Sequence, residues 1–70
     1  MQILVYKTNI SHNFDVEKIR PLLSRHNNIM AWNVDIEDVD KVLRIEAKID
    51  ITIEIADLIK NAGYQCGELE

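Results

Sequence analysis

One pair of side chains in the sequence combines metal-ligand chemistry with close spacing. His12 and Asp15 lie three residues apart in a polar segment, just before a helical pattern. An imidazole and a carboxylate suit Zn(II), Ni(II) or another borderline divalent ion, although two ligands alone bind such an ion weakly. The alternative is structural: Asp15 caps the first helix, because a carboxylate there accepts backbone N–H bonds and favours the helix dipole, and His12 is an exposed loop residue.

Cys66, the only cysteine, is a second candidate for metal chemistry. It follows Tyr64 by two residues, on or near the predicted last strand, and it could there approach His12. A strand advances about 3.3 Å per residue, which carries Cys66 too far along for a shared site. We therefore expect Cys66 to be a small buried apolar residue, the usual environment of a lone cysteine.

The remaining ionisable groups have structural explanations. His26 ends the predicted first helix, where a cation interacts favourably with the helix dipole. The predicted hairpin carries an acidic group that could attract a hard cation or a basic protein: Asp35, Glu37, Asp38 and Asp40. Its spacing is not that of a calcium loop, which needs a turn glycine and a terminal glutamate. We expect a solvated acidic edge that discourages aggregation.

No set of residues has the pattern of a catalytic centre. The sequence has no glycine-rich phosphate loop, no Ser–His–Asp or Cys–His pairing that the fold would assemble, and no paired carboxylates in an evident cleft. We expect the protein not to be an enzyme. We also expect no cofactor, unless a divalent ion is held weakly at His12 and Asp15.

Length and charge limit the class of protein. The 70 residues are predicted to form one domain, 1–70, and 12 acidic against 8 basic residues give a net charge of −4. Without a basic face, nucleic acid and anionic membranes are not expected partners. No apolar run approaches the roughly 20 residues that span a bilayer, and no signal-peptide pattern is present. A single cysteine fits a reducing compartment, so we expect a cytoplasmic protein.

Hydrophobic spacing predicts the elements that must position these residues. Alternation of apolar and polar residues indicates strands, and apolar residues three and four apart indicate helices. The predicted order is strand, helix, strand, strand, helix and a short last strand, over residues 2–8, 16–26, 30–38, 42–48, 50–63 and 64–70. This order predicts an α+β, ferredoxin-like βαββαβ sandwich, in which a four-stranded antiparallel sheet has two helices on one face.

Local signals predict where the helices begin and end. Asp15 is the predicted N-cap of the first helix, and Phe14 before it is predicted to pack on Ile19 as a hydrophobic staple. Asn27 and Asn28 end this helix, since asparagine tolerates the left-handed conformation. Gly63 is placed to end the second helix in the same conformation.

The sheet face without helices is left open to solvent or to a partner. Its first strand presents either Leu4 and Tyr6 or Ile3 and Val5, beside a third strand that presents Val42, Arg44 and Glu46. Apolar residues among charges suit contact with a protein partner or a homodimer. The alternative is the ordinary, partly apolar surface of a monomer.

With this order of elements, the sequence resembles the heavy-metal-associated domain family. The family signature is Gly-Met-Thr-Cys-x-x-Cys-Val, followed by an isoleucine three residues later and a leucine four beyond that. Val16, Ile19 and Leu23 occupy the three apolar places, and the family's closing Ala-Gly-Tyr stands at residues 62–64. In this register the two cysteines fall at His12 and Asp15.

The resemblance implies the ferredoxin-like fold, a loop at residues 9–15 where the family holds Cu(I) or a similar soft ion, and a position for Tyr64 near that loop. Both thiolates that carry this chemistry are replaced in the present chain. We therefore expect a degenerate member of the family that serves as a small binding or adaptor module. The alternative is a metal-binding or metallochaperone-like protein with altered specificity, which uses His12 and Asp15 together with ligands from a partner chain.

Overall fold

The computed structural model describes residues 1–69, which form four strands and two helices in the predicted order. The elements are β1 (Gln2–Thr8), α1 (Asn13–Ser24), β2 (Ile29–Asp35), β3 (Val42–Ala47), α2 (Thr52–Asn61) and β4 (Cys66–Glu68). This confirms the predicted α+β, ferredoxin-like architecture. Within the described residues, no helix combines the length and the apolar character needed to cross a membrane.

The four strands form one antiparallel sheet in the order β2-β3-β1-β4. Strand β1 therefore lies between β3 and β4, with Leu4 opposite Ile45 and Thr8 opposite Cys66. The β2–β3 register shifts between Ile29 and Ala31, which leaves one extra residue on β2 as a β-bulge. β2 and β4 are the two edges of the sheet.

The core lies between the helices and one face of this sheet. Successive strand side chains point to opposite faces, so alternate residues of β1 and β3 are buried under the helices. The buried set is Leu4, Tyr6, Leu43, Ile45 and Ala47 from the sheet, and Ile19, Leu23, Ile55 and Ile59 from the helices. Of the two predicted arrangements of β1, the structure has Leu4 and Tyr6 in the core and Ile3 and Val5 on the open face.

The ends of α1 differ from the prediction. The helix begins at Asn13 with His12 as its N-cap residue, so Asp15 is the third helical residue and not the cap. Phe14 is 63% exposed and cannot be a staple on the fully buried Ile19. The helix ends at Ser24, before the predicted stop at residues 27–28. The prediction started the helix too late because it treated the polar segment before Val16 as loop.

The end of α2 agrees with the prediction. Gly63 has a φ of +97°, the left-handed conformation that glycine adopts without steric cost. Its N–H donates to the Lys60 carbonyl at 3.0 Å, and the Tyr64 N–H donates to the Ile59 carbonyl at 3.2 Å. These two bonds form a Schellman motif, which ends the helix and turns the chain toward the beginning of α1.

Candidate functional site

The candidate site is the end of the sheet where β1 leads into α1. Hydrogen bonds from Thr8 hold this loop against the β2–β3 connection: its N–H donates to the Asp40 carbonyl at 3.0 Å, and its hydroxyl donates to the Lys41 carbonyl at 2.6 Å. The Thr8 hydroxyl oxygen also accepts the Ile10 N–H at 3.1 Å. The loop that carries His12 is therefore anchored at its base.

Both carboxylate oxygens of Asp15 have protein partners. Oδ1 accepts the hydroxyl of Tyr64 at 2.7 Å, and Oδ2 accepts the backbone N–H of His12 at 3.3 Å. The second bond is the half of a capping box in which the third helical residue reaches back to the cap residue. The bond from Tyr64 is the main cause of a pKa for the Asp15 carboxyl below its ordinary value. With 11% of its side chain exposed, Asp15 is a structural anion rather than an open ligand.

The His12 side chain is much more exposed than that of Asp15. The side chain of His12 is 73% exposed, and its Nδ1 lies 3.5 Å from Asp15 Oδ2. The imidazole stacks on the ring of Phe14, with centroids 6.0 Å apart. The structure thus brings the two predicted residues together. His12 is the N-cap residue of α1, Asp15 bonds back to its N–H, and only the imidazole is exposed enough to bind a ligand.

The described residues, 1–69, contain no cluster of three or more His, Cys, Asp or Glu side chains that could hold a metal ion. Glu17, the nearest additional carboxylate in sequence, pairs with Arg20 at 2.8 Å on the exposed side of α1. His12 and Asp15 would therefore need ligands from another molecule to complete a metal site.

Cys66 is buried at the start of β4, as predicted for a small apolar residue. Burial raises the pKa of its thiol to about 11. A thiol with so high a pKa is protonated at neutral pH, and the thiolate is the form that binds metals and attacks electrophiles. Cys66 therefore has the properties of a core residue.

His26 does not end α1 as predicted but lies two residues beyond its last turn. Its Nδ1 accepts the Asn28 N–H at 3.2 Å, which leaves the proton on Nε2, 2.9 Å from Glu54 Oε2. This contact links the end of α1 to the beginning of α2. It borders an open groove of about 530 Å³ between the two helices, lined by Leu22, His26, Glu54, Asp57, Leu58, Asn61 and Ala62.

The acidic residues of the hairpin build the β2–β3 connection. Asp35 Oδ1 accepts the N–H groups of Glu37 and Asp38, at 3.1 and 3.2 Å, and Asp38 Oδ1 accepts the Asp40 N–H at 2.9 Å. Aspartates commonly bind backbone N–H groups two residues ahead in this way and fold tight turns. Their arrangement has a structural cause that requires no cation.

Tyr64 is the residue of the site whose bonding partner was not predicted from the sequence. Its place in the Ala-Gly-Tyr triplet implied that it lies near the loop, and the structure confirms that position. Its hydrogen bond to Asp15 joins residues 49 positions apart, and no local pattern predicts such a contact. The left-handed Gly63 before it was the one available signal of a sharp turn there.

The fold is similar to that of a solved structure described as "Crosstalk between Cu(I) and Zn(II) homeostasis". The match covers 99% of this chain and 100% of that chain, with a TM-score of 0.79 and 14% sequence identity. No protein-family model matches the chain, and no curated protein matches it. At this level of identity the likeness shows the ferredoxin-like fold of residues 1–69 and does not extend to a metal site.

Proposed function

We propose that this chain is a small, non-enzymatic protein-binding module of the cytoplasm, with the fold of heavy-metal-associated domains but without their soft-metal site. The observation that carries the proposal is the bonding of Asp15. This residue stands at the position of the second family cysteine, and both of its oxygens accept hydrogen bonds within the domain.

Ligand chemistry supports the loss of soft-metal binding. Cu(I) prefers thiolates and low coordination numbers, whereas His12 and Asp15 offer one nitrogen and one hard carboxylate. A metal ion on this carboxylate would draw negative charge from the oxygens that accept the Tyr64 hydroxyl at 2.7 Å and the His12 N–H at 3.3 Å, so it would weaken both bonds. A bound ion would thus compete with an interaction that holds the fold.

The open face of the sheet is the surface we assign to a protein partner. Ile3 and Val5 lie there beside Arg44 and Glu46, whose charged groups are 3.6 Å apart. Apolar residues around a polar centre suit contact with another protein. A small domain with one buried cysteine is also compatible with the reducing cytoplasm.

A second candidate function is divalent metal binding in which a partner supplies ligands. The observation that favours it is the exposed His12 imidazole, with its Nδ1 only 3.5 Å from Asp15 Oδ2. The similar solved structure concerns Cu(I) and Zn(II) homeostasis, so a metal-related setting is consistent with the fold. Zn(II) would be the preferred ion, because it accepts imidazole and carboxylate ligands.

Titration of the purified domain with Cu(I), Zn(II) and Ni(II) tests whether the natural sequence keeps a soft-metal or divalent-metal site of its own. Under the first proposal no ion binds more tightly than about 100 μM, a free energy near −5.5 kcal/mol. The matched variant is His12→Cys/Asp15→Cys, which restores two thiolates to the same loop. We expect this variant, and not the natural sequence, to bind Cu(I).

Each result of the titration has a defined meaning. Cu(I) binding by the natural sequence would reject the proposed loss of the soft-metal site. Zn(II) binding that is removed by His12→Ala would favour the second function. Circular dichroism of the double-cysteine variant checks that it folds, because Asp15→Cys also removes the bond from Tyr64.

A further inference from the structure

Strand β2 leaves a long edge of the sheet unpaired. Six of its seven residues pair with β3 on one side, and no other strand of residues 1–69 pairs with the opposite side. The second edge, β4, is only three residues long. The N–H and C=O groups along the free side of an edge strand form a ready template for another strand.

The usual protections of an edge strand are scarce in β2. The sequence IMAWNVD contains no lysine and no proline, and its only charge is Asp35 at the very end. The β-bulge affects the segment between Ile29 and Ala31, and the five residues that follow keep a regular register with β3. Natural proteins block free edges with charges, prolines or bulges, so 31–35 is available for pairing.

Apolar surface accompanies this free edge. Met30 is 57% exposed, and it borders a shallow concavity of about 390 Å³ between the strand and α1, together with Trp32. The guanidinium of Arg20 lies over the Trp32 ring at 5.3 Å and covers part of it. A strand added at β2 would remove further apolar surface from water.

The charges at the two ends of β2 indicate which strand would pair with its free edge. Exposed Arg25 lies shortly before β2, and exposed Lys48 follows β3 beside it, with its N–H bonded to the Asn28 carbonyl. Asp35 and Glu37 lie at the opposite end. The seven residues of β2 separate these ends by about 20 Å. This is more than the Debye length at physiological salt, so the two ends act as separate charged patches. Antiparallel pairing of two copies sets each basic end against an acidic one.

We propose that two copies of this chain pair antiparallel through their β2 edges and form a continuous eight-stranded sheet. A parallel arrangement would place like charges together, and a two-fold axis produces the antiparallel one. A partner of a different sequence has no comparable support, because the charges of this chain complement themselves. The inference stands apart from the metal question, since neither the pairing nor its test involves residues 9–15.

Sedimentation equilibrium over a range of concentrations tests for the dimer. Asn33 lies at the middle of 31–35, so Asn33→Asp sets two carboxylates beside each other across the axis while each faces Arg44 of its own chain. Like charges in opposed positions are unfavourable, and we expect the dimer to weaken about fivefold at low salt. Asn61→Asp, the same change at the exposed end of α2, should leave the dimer intact.

Hydrogen exchange and charge reversal test the arrangement. Amides of β2 should gain protection when concentration drives association. Arg25→Glu and Glu37→Lys should each weaken the dimer, and the double variant should restore it. A chain that stays monomeric to about 1 mM overturns the proposal. So does a dimer without added protection in β2, or one that is indifferent to the charge reversals.

Discussion

The Tyr64 hydroxyl donates a 2.7 Å hydrogen bond to Asp15 Oδ1 and joins the chain after α2 to the first turn of α1. The bond crosses 49 residues of sequence. A carboxylate is stable at this nearly buried position because the hydroxyl and the His12 N–H both donate to it. Three segments of the chain therefore meet on one charged group.

Tyr64→Phe removes this bond and keeps the ring. We expect a lower melting temperature, by roughly 5 °C or more, because a nearly buried carboxylate loses a donor. Thermal unfolding followed by circular dichroism measures the change. In an Asp15→Ala background, Tyr64→Phe should lower the melting temperature little, because the tyrosine hydroxyl has already lost its acceptor. Equal losses in both backgrounds would show that the hydroxyl acts elsewhere.

The same bond predicts a dependence of stability on pH. The pKa of Asp15 is lowered on folding, chiefly by the Tyr64 hydroxyl, from an ordinary value of 3.8. A lowered folded-state pKa means that the stabilisation is complete above the ordinary value and is lost as the pH falls below it. Urea midpoints between about pH 6 and pH 2 should fall more steeply for the natural chain than for Tyr64→Phe. Parallel curves would contradict this assignment.

Cys66 should be nearly inert in the folded protein. Burial raises the pKa of its thiol to about 11, so at pH 8 its thiolate fraction is on the order of 100-fold lower than that of an unfolded cysteine. A disulfide reagent should therefore label the native chain slowly and the urea-unfolded chain rapidly. Similar rates for the two states would mean that β4 opens readily at Cys66.

The two glycines should respond differently to alanine. Gly63 has open space around its Cα but a φ of +97°, so Gly63→Ala forces a left-handed alanine and costs about 1–2 kcal/mol. Gly67 lies in β4, where an added methyl would make ordinary contact with the Lys7 side chain at 3.8 Å. Gly67→Ala should be neutral or slightly stabilising, because alanine suits a strand better. Chemical denaturation of both variants measures the contrast.

Short-range patterns were sufficient to predict the architecture. Alternation along β1 and β3 and the helical spacing of Ile55 and Ile59 both depend on neighbouring residues, and the structure buries these positions. Gly63 was predicted correctly for the same reason, because a helix stop is a local event. The strand order β2-β3-β1-β4, which puts β2 and β4 at the edges, was not part of the prediction.

The candidate site depended on contacts that short patterns do not contain. The sequence indicated that Asp15 lies at the start of α1, as its N-cap, but its bonding partner Tyr64 comes from the other end of the chain. The predicted staple at Phe14 failed because the helix begins one turn earlier, which turns this ring toward His12 and solvent. The predicted helix also ran two residues too far, to His26, which lies beyond the end of α1 and contacts Glu54 of α2.

The pairing of β1 with β4 also determines where the domain can be immobilised without covering the His12 loop. The chain begins β1 at the end of the sheet farthest from the His12 loop, and β4 runs antiparallel to β1, from Cys66 opposite Thr8 back toward that same end. A surface linker attached through Met1 would therefore leave the His12 loop facing outward. Immobilising the domain through Met1 keeps this loop accessible to soluble partners.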